Sequence, residues 1–120
     1  MAFYDLSTLT SSEIVPGYTL RTIHTGKLSF AYWKVTKDAV MPEHSHLHEQ
    51  VAHVISGKFE LTIEGDIRIL EPGIVALIPS NAKHGGRALT ECELIDVFYP
   101  EREEYKFDLK TDPHEPEFGK

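Results

Sequence analysis

The sequence predicts a small all-β domain, and three observations support this. Short runs rich in Val, Ile, Phe, Tyr and Leu recur along the chain. Turn residues separate these runs at roughly one signal per ten residues, the spacing expected of a sandwich or barrel. No long stretch carries the apolar stripe of an amphipathic helix. We therefore expect a closed or double-sheet β domain, because such architectures remove exposed sheet edges.

The strands follow from the apolar runs and from the turns between them. They are predicted at Tyr18–His24, Lys27–Val35, Val51–Ile55, Lys58–Glu64, Ile67–Leu70, Ile74–Ile78 and Glu93–Tyr99. Lys58–Glu64 alternates cleanly, with Phe59, Leu61 and Ile63 on one face and polar residues on the other. That pattern is typical of an antiparallel strand with one buried face. The turns are predicted at Thr25-Gly26, Ser56-Gly57, Gly65-Asp66, Glu71-Pro72-Gly73 and Pro79-Ser80-Asn81.

The chain has 120 residues, which is enough for one hydrophobic core and too few for two. We expect a single domain over 1–120, with its core at about 18–100. The segment 101–120 is polar and broken by proline, so we expect it to wrap the surface or fray. By analogy with other small β folds, we expect a homodimer in which Ala2–Leu9 is a swapped or added strand.

Composition excludes several classes of partner. The chain has 12 Lys plus Arg against 19 Asp plus Glu and a net charge of −7, so nucleic acid is not an expected partner. No apolar run approaches the ~20 residues of a membrane helix, and no membrane partner is expected. The start of the chain lacks the features of a signal peptide, and a lone Cys92 cannot form an internal disulfide. These features favour a cytoplasmic location.

Histidines concentrate in the segment MPEHSHLHEQ, residues 41–50. In an extended segment His44 and His46 project to the same side, because side chains alternate with period two. Two imidazoles and a nearby oxygen donor form half of a site for a transition metal. The alternative is an exposed loop that is merely rich in histidine. The remaining histidines are expected to be structural: His24, His53 and His114.

Two motifs resemble those of the cupin family. The first, His-x-His-x(3,4)-Glu-x6-Gly in the family, is matched by His44-x-His46-x3-Gln50-x6-Gly57. The second, Gly-x5-Pro-x-Gly-x2-His, is matched by Gly73-x5-Pro79-x-Asn81-x2-His84. The resemblance implies a jelly-roll β-barrel that binds one divalent transition metal ion, namely Zn, Ni, Fe or Mn. The ligands it implies are His44, His46, Gln50 and His84.

The chain departs from the family pattern at three positions. Asn81 replaces a glycine, which asparagine can do because it tolerates left-handed backbone conformations. Ala88 stands where an asparagine often ends the second motif. Gln50 replaces the usual glutamate, so three neutral imidazoles and an amide would leave the charge of the metal uncancelled. Glu49 is a rival ligand one residue out of register, and His48 is expected to be a hydrogen-bonding neighbour.

A second group of candidate residues follows the last strand. Asp96 lies among apolar residues of Glu93–Tyr99, where Asp is depleted. Either it faces the interior, or it lies on the outer face or forms an ion pair with Arg68 or Lys106. The pattern Asp96-x-Phe98-x3-Arg102 resembles the pectin-degradation branch of small cupins. That resemblance implies catalytic roles for Asp96, Phe98 and Arg102.

The same resemblance implies a reaction and a substrate. Members of that branch convert 4,5-unsaturated uronate monosaccharides from pectin and alginate to linear keto acids. Asp96 would carry a proton, Arg102 would bind the substrate carboxylate, and Phe98 would form an apolar wall. Lys83 and Arg87 either add positive charge to the site or lie on a solvated rim. The alternatives are an Fe(II) dioxygenase and a non-catalytic sugar-binding or sensing cupin, with an epimerase-type barrel ranked below both.

Overall fold

The computed structural model describes residues 2–106, so the predictions for 107–120, including that for His114, lie outside the described residues. The described chain is almost entirely β. Its strands are β1 (Ser12–Val15), β2 (Tyr18–His24), β3 (Ser29–Val35), β4 (Val40–His44), β5 (Glu49–Ser56), β6 (Phe59–Ile63), β7 (Asp66–Leu70), β8 (Val75–Ile78), β9 (His84–Ala88) and β10 (Cys92–Tyr99). The helical residues described are two short 3-10 turns, Leu6–Thr8 and Glu103–Tyr105. Among residues 2–106 there is no helix with the length and apolarity needed to cross a bilayer.

The strands form two antiparallel sheets. The larger has the order β1-β2-β3-β10-β5-β8, and the smaller has the order β4-β9-β6-β7. All-β architecture and the jelly-roll arrangement are thereby confirmed, although the two sheets remain separate ladders and do not close into one barrel. Strands that are far apart in sequence become neighbours, because β10 pairs with both β3 and β5. This pairing places residues from early and late parts of the chain side by side in the same core.

The core lies between the inner faces of the sheets. In β2 and β10 every second residue is buried, as expected for strands with one solvated face. Tyr18 meets both Trp33 and Phe59 edge-on, with ring centroids 5.9 and 6.5 Å apart. Edge-to-face pairs of this kind stabilise a core beyond the area they bury. The aromatic residues therefore join the two sheets within the core.

Three strands were not predicted. β1 is short, and β4 and β9 contain residues with low strand propensity, including Pro42, Gly85 and Gly86. The glycines have a packing role, because a Cβ on Gly86 would overlap the ring of Phe59, and one on Gly85 would lie 2.9 Å from the Met41 carbonyl. Close approach of neighbouring strands, rather than propensity, therefore fixes these residues.

The terminal predictions are met only in part, and exchange of a strand between two copies of the chain stays a prediction. Ala2–Leu9 contains no strand, since Asp5 caps a 3-10 turn at Leu6–Thr8. The added edge strand is Ser12–Val15, which pairs with β2. At the other end, the described residues 101–106 do not fray. Arg102 and Tyr105 are buried there because the guanidinium of Arg102 packs on the rings of Phe98 and Tyr105, and Tyr105 packs on Trp33.

Candidate metal centre

Three histidines meet at the end of the smaller sheet. His44 ends β4 and His84 begins β9, and the two are paired across the ladder with ring centroids 4.3 Å apart. His46 follows β4 in a loop, and its ring lies 4.8 Å from that of His84. One ligand nitrogen from each ring lies within 4.8 Å of the others. Asn81 precedes His84 with φ 65°, so its replacement of a glycine is explained by left-handed backbone.

Backbone carbonyls fix the orientation of all three rings. The Nδ1 atoms of His44, His46 and His84 lie 2.8, 3.0 and 2.9 Å from the carbonyl oxygens of Pro42, His48 and Ala82. A carbonyl only accepts, so each Nδ1 carries the proton and each Nε2 presents a lone pair. The Nε2 atoms of His46 and His84 are buried, and neither has a hydrogen-bond partner among the described residues. Orphaned imidazole nitrogens that converge in this way are suited to a metal ion.

The electrostatic environment keeps the rings of His46 and His84 neutral. Burial, together with the nearby positive charge of Arg102 and the ring of His84, lowers the pKa of His46 to about 4. Burial also lowers the pKa of His84. Neutral imidazole is the form that binds a metal. By orientation and donor type, His44, His46 and His84 fit a divalent transition metal, and they could hold one.

Gln50 and Glu49 lie on opposite faces of β5. Gln50 is buried and lines the pocket with His44 and His84, and it forms a side-chain hydrogen bond with Asp96. Glu49 is exposed on the other face. Period-two alternation therefore favours Gln50 over Glu49 as the position from which an oxygen could reach the metal. His48 is buried, and it contributes its backbone carbonyl to His46.

Asp96 faces the interior, so the outward alternative is wrong. It is 7% exposed, and its Oδ2 accepts a hydrogen bond of 2.9 Å from Nε1 of Trp33. Burial raises its pKa to about 6, against opposing contributions from Gln50, Trp33 and Arg102. The cations considered as its partners are engaged elsewhere, Arg68 with Asp66 and Lys106 with Glu101. A buried carboxyl that titrates near neutral pH can exchange protons with a bound molecule.

Arg102 brings a positive charge to the same pocket. Its guanidinium lies 4.7 Å from the ring centroid of Phe98 and 4.4 Å from that of Tyr105. Its Nη2 donates to Glu104 at 3.2 Å, while its buried Nε has no partner in residues 2–106. A buried, half-satisfied guanidinium is suited to an anionic ligand, particularly a carboxylate.

Three further residues singled out in the sequence lie beside the metal ligands or at the rim, and two residues of the pocket were not predicted. Phe98 is only 1% exposed, and its ring packs on His46 and Arg102. Lys83 and Arg87 are exposed, so the solvated-rim interpretation describes them. Trp33 and Tyr105 were not predicted, although both line the pocket. No short motif marks them, because Trp33 resembles any core aromatic and Tyr105 lies in a polar segment.

The pocket joins these groups into one candidate site. It encloses about 590 Å³ of space, part of it open to solvent, between the two sheets. Its polar lining includes His44, His84, Gln50, Asp96 and Arg102, and its apolar lining includes Trp33, Phe98 and Leu94. An apolar pocket with a few convergent polar groups is the usual form of a small-molecule site.

Comparison with known proteins identifies the family. The cupin domain model matches residues 31–98, more than half of the chain. The chain is a cupin. Its strands and its histidine cluster agree with that membership, and the resemblance predicted from the two motifs is confirmed.

Three individual proteins are similar to this chain in sequence or in structure. This cupin is 41% identical over 71 residues to the pectin degradation protein KdgF of Dickeya dadantii (strain 3937), covering 58% of this chain and 64% of that protein. The match therefore spans somewhat less than two thirds of that relative. KdgF from Halomonas sp. superposes with a TM-score of 0.82 at 31% identity, over 87% of this chain and 97% of its own. An RmlC-like cupin from Shewanella frigidimarina superposes with a TM-score of 0.83 at 27% identity, over 88% and 96%.

Proposed function

We propose that this cupin is a metal-dependent enzyme that converts 4,5-unsaturated uronate monosaccharides from pectin or alginate to linear keto-uronates. The observation that carries the proposal is the shared pocket, in which a buried carboxyl (Asp96) and a buried cation (Arg102) line the same space as the histidine cluster. The similarity to the pectin degradation protein KdgF of Dickeya dadantii, and to KdgF from Halomonas sp., supports the substrate class. The homodimer expected from the sequence stays a prediction.

The reaction is an isomerisation, so its atoms balance without a co-reactant. The C1 hydroxyl of the hemiacetal gives its proton to the carboxylate of Asp96. The C1–O5 bond breaks, C1 becomes an aldehyde, and the electron pair left on O5 forms an enolate with the C4–C5 double bond. Asp96 then gives the proton to C4, and C5 becomes a ketone. A carboxyl whose pKa is about 6 can serve in both directions near neutral pH.

The other residues bind and orient. We propose that His44, His46, Gln50 and His84 hold the metal, which would supply Lewis-acid stabilisation of substrate oxygens. Arg102 pairs with the uronate carboxylate through its planar guanidinium. Phe98 forms the apolar wall beneath Arg102 and His46. Because Gln50 is neutral, a bound divalent ion keeps its full charge, and this favours Lewis-acid chemistry over the carboxylate-ligated Fe(II) chemistry of dioxygenases.

The test is to mix the purified protein with lyase-generated unsaturated galacturonate and follow the ultraviolet absorbance of the enol ether. We expect the absorbance to fall, to stop falling after treatment with chelator, and to resume when Zn, Ni, Fe or Mn is restored. Unsaturated guluronate-derived substrate is tested in parallel. Oxygen uptake during turnover would instead support a dioxygenase. Binding of the uronate without consumption would support a sensing role.

A further inference from the structure

The segment that carries Arg102 is held by buried polar groups far from it in sequence. Arg102 precedes the 3-10 turn Glu103–Tyr105, and the Tyr105 amide donates to the Arg102 carbonyl at 3.0 Å. A single 3-10 turn is weakly stable in isolation. The position of the guanidinium therefore depends on what anchors the two ends of this turn.

Both ends of the turn are anchored by β2 and β3. At its start, the Arg102 amide donates to Oγ of Ser29 at 2.8 Å. At its end, the Tyr105 carbonyl accepts from Oγ1 of Thr22 and lies 3.3 Å from Nε2 of His24. Ser29 and His24 are themselves joined, with Oγ and Nδ1 2.7 Å apart. We call His24, Ser29 and Thr22 the polar latch.

The direction of each bond in the polar latch follows from its partners. The Tyr105 carbonyl only accepts, so Nε2 of His24 carries the proton. Nδ1 of the neutral ring is then an acceptor, and Ser29 donates to it while accepting from the Arg102 amide. The polar side chain of each member thus has a hydrogen-bond partner. All three are buried, with Ser29 0% exposed, His24 2% and Thr22 5%.

Apolar side chains at these three buried positions could fill the same space, and they would need no hydrogen-bond partners. Buried polar groups are tolerated only when they are fully bonded, and they then specify one arrangement of the chain. Here the arrangement they specify is that of the turn bearing Arg102. Glu101 adds to it, because its carboxylate accepts from the Gly26 amide and pairs with Lys106.

We propose that the polar latch is a positioning device that sets Arg102 for binding of the substrate carboxylate. The inference rests on the proposed function, in which Arg102 pairs with a uronate. His24, Ser29 and Thr22 do not line the pocket themselves, and their hydrogen bonds to the residues that do are made to backbone atoms of Arg102 and Tyr105. They act through the backbone of Arg102 and Tyr105.

The test uses two nearly isosteric variants, Ser29→Ala and Thr22→Val. Thr19→Val is the matched control, since it makes the same change on the outward face of β2. KM and kcat for unsaturated galacturonate are measured in the wild type and in each variant, together with metal content. We expect Ser29→Ala and Thr22→Val to raise KM about fivefold, in proportion to one lost hydrogen bond, with kcat and metal content nearly unchanged. Thr19→Val is expected to match the wild type.

A double-mutant cycle separates positioning from general destabilisation. If the polar latch acts through Arg102, Ser29→Ala raises KM in the wild type and has no further effect in an Arg102→Ala background. An equal increase in both backgrounds, or none in the wild type, would overturn the proposal. Should Ser29→Ala fail to fold, the same cycle is run with Thr22→Val.

A second readout is independent of catalysis. Amide hydrogen exchange is followed by NMR in the full-length protein, and Ser29→Ala is expected to accelerate exchange at Arg102 and Tyr105 while leaving Leu20 and Val35 protected. A wild type that does not consume the uronate would contradict the proposed function. The polar latch is then judged on exchange alone, and unchanged protection of the Arg102 amide would overturn it.

Discussion

Trp33 donates a hydrogen bond through Nε1 to Oδ2 of Asp96, and both side chains are buried between the sheets. The two residues pack on neighbouring strands β3 and β10, 63 positions apart in sequence. Gln50 forms a side-chain hydrogen bond with the same carboxyl. It lies on β5, which pairs with β10 on the side opposite to β3. Asp96 is therefore oriented from both flanking strands, although burial alone would favour its neutral form.

Trp33→Phe should impair the proton transfer without emptying the site. The phenyl ring retains apolar volume beside Tyr18 and Tyr105, whose rings lie 5.9 Å from that of Trp33, but the donor to Asp96 is lost. Hydrogen bonds to charged groups are worth more than neutral ones, so we expect kcat to fall about tenfold with KM within about twofold. Steady-state kinetics check this, and Tyr32→Phe on the outer face of β3 is the control. A wild-type kcat in Trp33→Phe would show that Asp96 needs no such support.

Asp96→Asn should abolish ring opening while the metal stays bound. The substitution keeps the shape of the side chain and removes the group proposed to carry the proton, and loss of a general acid–base group slows reactions by about a hundredfold or more. Metal content is measured on the same sample by elemental analysis. Turnover at the wild-type rate with full metal occupancy would contradict the proton-carrying role.

Gln50→Glu should strengthen metal binding and weaken catalysis. A carboxylate adds charge to the ligand set, so we expect a lower metal Kd in competition with a chelator. The same change removes the amide donor to Asp96 and places a second acidic group beside it, which would raise the pKa of Asp96 further. We expect kcat to fall at least about tenfold.

Glu49→Gln is the matched control for that variant. Glu49 is exposed on the opposite face of β5, so neither metal affinity nor kcat should change. Weaker metal binding in Glu49→Gln would identify Glu49 as the ligand and would contradict the assignment to Gln50.

The sequence predicted most strands because their residues alternate between a buried and a solvated face. Period-two alternation placed His44 and His46 on one side of the chain, and the resemblance to the cupin motifs added His84 to the same site. β4 and β9 were missed because close packing around Gly85 and Gly86, not propensity, determines them.

The residues that hold the site residues in place were harder to predict from the sequence. Trp33 reaches Asp96 only through the pairing of β3 with β10, and Tyr105 is buried only because the polar latch bonds the segment after β10. Contacts of this kind depend on side-chain geometry across 63 and 81 positions of sequence, which no local pattern records. Functional residues that lie outside motifs are therefore the ones that need a structure.

Metal removal should lower the stability of the fold. A ligand that binds only the native state stabilises it by about 4 kcal/mol when present at a thousand times its Kd. We therefore expect chelator to reduce the unfolding midpoint and added metal to restore it. His84→Ala should abolish that metal-dependent shift, because it removes one of the three clustered histidines. His53→Ala, a histidine on the outer face of β5, is the control and should keep the shift.

The stability of the metal-free protein should decrease as the pH is lowered below about 6.5, the ordinary pKa of histidine. Burial lowers the pKa of His24 in the folded protein, so the unfolded chain takes up the proton first and gains free energy from doing so. The stabilising contribution of neutral His24 is thus fully present above pH 6.5 and is lost as the pH falls toward the depressed folded pKa. His46 and His84 act with the same sign, because burial lowers the pKa of both. Asp96 acts with the opposite sign, because burial raises its pKa to about 6, so the expected decrease is the net effect of three histidines against one carboxyl.

His24→Gln isolates the contribution of His24, a member of the polar latch, to the loss of stability at low pH. Glutamine offers a donor and an acceptor but does not titrate, so urea unfolding at pH 8.0 and at pH 5.5 should show a smaller loss of stability in the variant than in the wild type. Chelator is present throughout, since protonation would otherwise release metal and add its own pH dependence. An identical loss in both proteins would mean that His24 binds a proton equally well folded and unfolded. That result would contradict the assignment of a neutral His24 bonded between Ser29 and the Tyr105 carbonyl.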